Sequence, residues 1–533
     1  MWQQTYSPVA DNLGYSALGA ALPILVLLLA LGVLRMSAWK ASLAGLAAAY
    51  TVAVFVYRMP LGLALSATTY GAAFGLFPIA WIVYWAIVLY RVTVDTGKFE
   101  VIKNTVGGLT NDRRLQALFI AFAFGAFLEG ASGFGTPVAV AAAMLTGLGF
   151  TPFNAAAICL LANTAPVAFG AIGIPLVTLA GITGLPLRDL SANVGRVCAP
   201  LSLFVPSYLM LVMGGVRGLL AVLPAALVCG TAFASTQFLV SNYLGPYLTD
   251  ILSSLAAILC LAVLLRFWKP KGDAPSTLPK PKASETFSAW MPYGLLILFA
   301  VMWGLEPVKA FLNTATLTFG WPGLHNHILR VAPAVVKPSL YAAMFAFNVL
   351  AASGTACMFA AIFAALLAGM RPWTLVRLCT STLRQLAFPV LTIATVLALA
   401  FLMNYSGATA TLGLAFAATG VAFPFFSALL GWVGVFLTGS DTSANALFGN
   451  LQVVTASKLH LNPLLMAASN SSGGVMGKMI SLQSIAVAAA ATGMSAADEA
   501  RLFRFTLRHS VTLAAAIGCI VLFYAYVMPS WVR

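Results

Sequence analysis

The chain has 533 residues, of which 61% are hydrophobic and 8% charged, with a mean hydropathy of +0.96. That composition excludes a water-soluble globular fold and leaves an all-α, polytopic integral membrane protein. The formal charge of +15 could suit nucleic acid, but in a membrane protein basic residues gather on cytoplasmic loops, so no nucleic-acid partner is expected.

Apolar runs predict about 12 transmembrane segments, the first at 15–34. That run lacks a basic leader and an A-x-A cleavage site, so it reads as a span and not a removed signal. Spans follow at 41–57 and 76–94. Residues 115–149 run helix, polar tip, helix inside one apolar stretch, which predicts a re-entrant hairpin. A broken span is expected at 152–182, then spans at 196–213, 217–238, 243–267 and 289–305. The segment 268–288 contains the hydrophilic linker Lys269–Glu285, whose prolines and charges form no packed core. Beyond it come a long, interrupted span at 338–369 and an amphipathic helix bearing Arg371, Arg377 and Arg384. A span at 386–404, a second hairpin at 421–457, a second broken span at 463–491 and a last span at 508–528 complete the chain.

These elements form an internal repeat. Phe77-Pro78 matches Phe388-Pro389 at an offset of 311, and Thr96-Gly97 matches Ser406-Gly407 at 310. Phe127-Leu128-x-Gly130 matches Phe436-Leu437-x-Gly439 at 309, and Asn163 and Gly170 match Asn470 and Gly477 at 307. The chain therefore divides into a first repeat (1–214), a connecting region (215–335) and a second repeat (336–533). If Arg35 and Lys40 face the cytoplasm, counting spans puts most of the 28 Lys and Arg residues on that side. The second half is then inverted relative to the first, provided that 338–369 crosses once. Inverted halves with broken helices at the midplane are the architecture of secondary transporters.

Carboxylates and polar tips at membrane depth are costly unless they line a cavity. Glu129 opens the first tip, AFLEGASGFGTPVA. A low-dielectric setting disfavours the charged form of a carboxylate, which suits a proton-coupling group; the alternative is a glutamate satisfied by amides of the glycine-rich turn. Gly130, Gly133 and Gly135 permit a tight backbone, and Pro137 suits the first turn of the returning helix. Ser132 and Thr136 then sit beside free amides at a helix N-terminus, a natural seat for a small carboxylate. Small residues that merely allow close packing would look the same. Asn163-Thr164 and Asn470-Ser471 head the two broken spans, with Pro166 and Pro175, and Gly473-Gly474, as breakers. Asparagine offers donor and acceptor for a substrate hydroxyl. Asp441 and Lys478 form either a buried ion pair or an anion site in which Lys478 supplies the positive potential.

Seven scattered cysteines suit apolar packing, and His325-Asn326-His327 reads as a polar loop, so no metal site is expected. No phosphate-binding loop, dinucleotide turn or hydrolase motif is present. The expected energy source is therefore an ion gradient, with no cofactor and no enzymatic activity.

The stretches FLEGASGFGTPVAV, NTAPVAFGAIGIP, GWVGVFLTGSDTSANALF and GGVMGKMISLQSIA resemble the bacterial L-lactate permease family, and the likeness runs from WQQTYSPVADN to LFRFTLRHS. The resemblance implies a multi-pass inner-membrane proton symporter for L-lactate, with D-lactate and glycolate as further substrates. The wider superfamily has paired hairpins and resembles elevator-type carboxylate carriers. Its site-forming positions fall on Glu129–Thr136, on Asn163 and Thr164, on Ser440, Asp441, Thr442, Ser443 and Asn445, and on Asn470 and Ser471. Thr136 stands where alanine is expected in close relatives; its extra hydroxyl implies a slight shift in substrate preference. Lys478 is expected to aid the substrate carboxylate, Asn163 or Asn470 its hydroxyl, and Glu129, with Asp441 as second candidate, to carry the proton. A sodium-coupled mono- or dicarboxylate carrier is the alternative on the same architecture. The sequence sets no oligomeric state.

Overall fold

The computed structural model describes residues 1–34, 36–133, 135–270, 282–335, 337–494 and 496–532. Most of the linker 269–285, and Arg35, Lys271, Lys280 and Arg533 of the charge assignment, lie outside the described residues. Among the described residues eleven helices are long and apolar enough to cross a membrane, or thirteen if each of two bent pairs counts as one span.

The first helix, Leu13–Gly32, starts at Asn12, whose side chain accepts the Tyr15 amide at 3.1 Å. Ala20, Ile24 and Leu27 face inward while Leu18, Leu22, Leu25 and Leu29 face outward. An apolar outer face of that length is stable against lipid and not against water. Ala38–Thr51 follows, then a 35-residue span, Leu61–Asp95. It breaks at Phe77 (φ −142°, ψ 124°), because Pro78 has no amide donor and disfavours helical backbone before it. The expected span 76–94 covers only the second half. Leu61–Phe74 is rich in Ala, Gly, Ser and Thr, which weakens its apolar signal. Those small residues serve packing: a Cβ on Gly71 would lie 2.6 Å from the Leu397 carbonyl of the long helix Pro372–Ser406.

Three further expectations need correction. The span 196–213 is the middle of Leu187–Ala221, which kinks at Gly215 (φ 62°), so its successor starts at Leu223 and not at 217. Arg371, Arg377 and Arg384 belong to no separate amphipathic helix, since Pro372–Ser406 runs unbroken from Arg371 through the span 386–404. The third concerns 338–369. Leu317–Gly320 pairs antiparallel with Met344–Phe347, and Ile328–Arg330 pairs with Ser339–Leu340 and with Trp2–Gln3. His325 Nδ1 accepts the Ala343 amide at 3.1 Å and ties the loop to this sheet region. Only Ser353–Leu367 is helical. Its 15 residues reach about 22 Å at 1.5 Å each, short of the roughly 30 Å hydrocarbon core. The crossing behind the charge-based orientation thus rests on a short helix.

The hairpins are Arg113–Ala131 with Thr136–Gly147, and Phe423–Thr438 with Asp441–Lys458. Arg113–Ala131 is almost wholly buried, unlike the outer spans. The broken helices are Pro152–Ala162 with Val167–Thr183, bent by 67°, and Pro463–Ile480 with Leu482–Thr492, bent by 41°. Helices sort into two groups by packing. Leu13–Gly32, Ala38–Thr51, Leu61–Asp95, Ala283–Gly304, Ser353–Leu367 and Pro372–Ser406 make one, and the hairpins, broken helices and Leu187–Phe267 region the other.

Candidate functional site

The first tip turns on two left-handed glycines, Gly133 (φ 59°) and Gly135 (φ 83°), before Pro137 in the first turn of Thr136–Gly147. Glu129 lies one turn before the tip and is 4% exposed. Its carboxyl is wedged beside two glycines: a Cβ on Gly170 would come 2.8 Å from Oε1, and one on Gly133 would come 3.6 Å from it. Gly170 belongs to the first broken helix, where Asn163 caps Pro152–Ala162 and the chain then unwinds. Ala171, Ile172 and Gly173 take φ of 44°, 59° and 73° in succession. Left-handed backbone at Ala and above all at β-branched Ile stores strain, which packing must hold in place.

The second tip is ordered differently. Gly439 (φ 72°) ends Phe423–Thr438, and Ser440 caps Asp441–Lys458 by accepting the Ser443 amide at 3.3 Å. Asp441 occupies the first turn and is tied down: Ser471 Oγ donates to its Oδ2 at 2.5 Å and Asn445 Nδ2 at 3.2 Å. Asn445 also donates to the Pro175 carbonyl at 3.1 Å, and Asn470 Nδ2 donates to Asn445 Oδ1 at 2.9 Å. Gln452 Nε2 completes the chain by donating to Asn470 Oδ1 at 3.1 Å.

One cavity of about 390 Å³ joins both tips. That volume is roughly a dozen times the 30 Å³ share of one liquid water, enough for a small acid and its solvent. Glu129, Gly133, Val167, Gly170, Ala171, Ile174 and Pro175 line it from the first copy. Thr438 to Ser443, Lys478 and Gln483 line it from the second, and Trp39, Phe388, Pro389 and Thr392 close it from the other helix group. Lys478 Nζ donates to the Gly439 carbonyl at 2.7 Å, and among the described residues it forms no ion pair with Asp441. The self-neutralising pair is thus not formed. The ammonium is held instead at the mouth of a helix N-terminus, where the first amides have no helical acceptor. A second cavity of about 430 Å³ lies elsewhere, between Arg113, Arg114 and apolar side chains, and touches neither tip.

Of the residues singled out from sequence, Glu129, Gly133, Ser440, Asp441, Thr442, Ser443 and Lys478 converge on this cavity. The others stand behind it. Gly130 packs against Asp250 and Ile251. Ser132 Oγ donates to the Leu128 carbonyl at 3.0 Å and Thr164 Oγ1 to that of Leu161 at 2.8 Å. Thr136 begins the returning helix, and Asn163 backs Glu129. Asn445, Asn470 and Ser471 are engaged in the Asp441 network. Asn470 does not head the second break: Pro463–Gly477 stays helical through it, and the chain turns at Lys478–Ser481. Gly473 and Gly474 are not breakers either. A Cβ on Gly474 would lie 2.5 Å from Asp441 Oδ1, so these glycines admit close helix contact.

Sequence reasoning missed Trp39, Thr392, Gln483 and Asp250. Gln483 sits five residues after Lys478 in a stretch already noted, while Trp39 and Thr392 come from distant elements and carry no local signal. Asp250 is an acid in an expected span, 243–267, and the rule that intramembrane acids are functional applies to it as to Glu129.

A family model described as L-lactate permease matches residues 16–528. The chain is 46% identical to the L-lactate permease of Bacillus subtilis (strain 168), over 99% of both chains. It is 45% identical to the glycolate permease GlcA of Escherichia coli (strain K12), over 99% of this chain and 98% of the other. Among solved structures it is similar to Neisseria gonorrhoeae MtrF, at 14% identity and a TM-score of 0.46, over 86% of this chain and 83% of that one. With its many apolar helices and these full-length matches, the chain is a multi-pass membrane protein that belongs to the L-lactate permease family.

Proposed function

We propose that the chain carries L-lactate, and the related D-lactate and glycolate, together with a proton across the bacterial inner membrane. The observation that carries this reading is the charge balance of the shared cavity. Two carboxyl groups, Glu129 and Asp441, face one ammonium, Lys478. Fully ionised, the wall bears one net negative charge and repels a monocarboxylate; one bound proton cancels it. Proton and anion therefore favour each other's binding, and linkage makes the effect reciprocal. That is the thermodynamic condition for symport. The substrate class comes from the relatives named for L-lactate and for glycolate.

In this reading the substrate carboxylate rests on the first-turn amides of Asp441–Lys458 beside Lys478. Its hydroxyl meets Thr442, Ser443 or Gln483, which line the cavity, in place of Asn470, whose amide is already engaged. Glu129 takes the proton, because Asp441 is held by two donors. The halves are inverted, and the hairpin group moves as a lift against the other group; the cavity's position between the two groups supports this. The chain then works as a secondary transporter driven by the proton gradient alone.

Purified protein in vesicles tests the reading. With sodium held equal on both sides, an inside-alkaline pH step should drive radiolabelled L-lactate uphill, and a protonophore should abolish accumulation. Accumulation that follows a sodium gradient at fixed pH would replace this reading by sodium coupling.

A further inference from the structure

Asp250 lies in the first turn of the helix Thr249–Phe267 and is 1% exposed, yet among the described residues neither of its carboxyl oxygens has a hydrogen-bond partner. It sits directly behind Glu129. A Cβ on Gly130, the residue after Glu129, would come 2.7 Å from Asp250 Cβ and 3.1 Å from the Ile251 amide. The bare Cα of Gly130 is what lets this helix press onto the hairpin. Among the described residues Glu129 Oε2 and both amide atoms of Asn163 also lack partners within hydrogen-bonding geometry. Two buried carboxyls so poorly supplied with donors carry two charges only at high cost.

We propose that Asp250 is a proton-sharing partner of Glu129, so that the two carboxyls hold one proton between them. Glu129 faces the cavity and Asp250 does not, so the pair has a front and a rear station. In the step itself an O–H bond on one carboxyl breaks as an O–H bond on the other forms. The pair keeps a single negative charge during that exchange, and nothing is oxidised or reduced. A proton taken up from the cavity as substrate enters rests on Glu129 and removes the repulsion, Asp250 shares it, and it leaves with the substrate. Asp250 thereby acts through Glu129 as a positioning residue and touches no substrate.

The titratable and charged groups around the pair are few. Lys478 acts on Glu129 from the second broken helix, and Cys198 of Leu187–Ala221 lies within electrostatic reach of both Asp250 and Asp441. The two other neighbours of Thr249–Phe267, Leu223–Tyr243 and the broken helix Val167–Thr183, contain no Asp, Glu, Lys, Arg or His. Gln237 of the former donates to the Ala165 carbonyl at 3.1 Å, and its Oε1 has no partner among the described residues.

This inference rests on the proton-symport reading, and the test separates the two. Full-length wild type, Asp250→Asn and Asp250→Glu are reconstituted in vesicles and assayed for pH-driven lactate accumulation and for gradient-free lactate counterflow. If wild type fails to accumulate, the symport reading falls whatever the variants do. If wild type accumulates, Asp250→Asn should lose accumulation while counterflow persists, and Asp250→Glu should recover part of the accumulation. Wild-type accumulation by Asp250→Asn overturns the proposal, as does parallel loss of accumulation and counterflow in a folded variant. Should Asp250→Asn not fold, the infrared band of protonated carboxyls that responds to lactate decides. It should shift in Asp250→Glu, and an unshifted band contradicts the proposal.

Discussion

The two hairpin-and-break units tie down their acids to different degrees. In the second copy Asp441 accepts from Ser471 and Asn445 on Oδ2, while its Oδ1 has no partner among the described residues, and behind it Asn470 and Gln452 extend a continuous hydrogen-bonded chain. In the first copy Glu129 Oε2, Asn163 and Asp250 have no such partners among the described residues, and the backbone beside them is left-handed at Ala171 and Ile172. A largely bonded buried network rigidifies its surroundings, whereas a group with few partners stays open to a ligand or proton. In the proposed mechanism the two units accordingly serve as a fixed anion seat and a titrating partner.

The largest expected effect breaks the seat. Lys478→Gln removes the one ammonium among the described residues lining the cavity and leaves that wall negative even with one proton bound. We expect a loss of at least about 2 kcal/mol in lactate binding, roughly a thirtyfold rise in half-saturation, read as uptake against lactate concentration. Next comes Glu129→Gln, which should abolish pH-driven accumulation while leaving some counterflow. Unchanged uphill uptake by that variant would remove Glu129 from the coupling role and erase the contrast between the copies.

Asn470→Ala sharpens the comparison from the other side. It deletes bonds to Asn445, Gln452 and the Ala444 carbonyl, at about 1–3 kcal/mol of stability, visible as a lower melting temperature in detergent. Because Asn470 stands behind the cavity, half-saturation in the folded fraction should change little. The smallest effect belongs to Thr136→Ala. Thr136 does not line the cavity, so the ranking of L-lactate, D-lactate and glycolate in competition assays should stay as in wild type, contrary to the slight shift that the added hydroxyl suggests in the sequence.

Much of the membrane fold was legible because apolar runs and glycine-rich interruptions are local signals. Glu129, Asp441 and Lys478 stood out for the same reason, as charges inside apolar stretches. The strand region around Met344–Phe347 was not legible, since a short apolar run suits strand and helix alike and its partners lie at Leu317–Gly320. Gly473-Gly474 misled because glycine serves both breaks and close packing, and only the position of Asp441 across the contact decides between them. Trp39 and Thr392 reach the cavity through tertiary packing between the helix groups. Asp250 was visible and overlooked: its importance comes from what surrounds it, and a buried carboxyl without donors cannot be told from a capped one until the fold is known.

The claim on which the rest depends is that a proton must neutralise the cavity before a monocarboxylate can settle there. Calorimetric titration of purified protein with L-lactate, repeated in buffers of different ionisation enthalpy, counts the protons taken up on binding. The account predicts net proton uptake with each lactate bound, affinity that weakens as pH rises, and loss of both in Glu129→Gln. Lactate binding with no proton uptake and no pH dependence would contradict it.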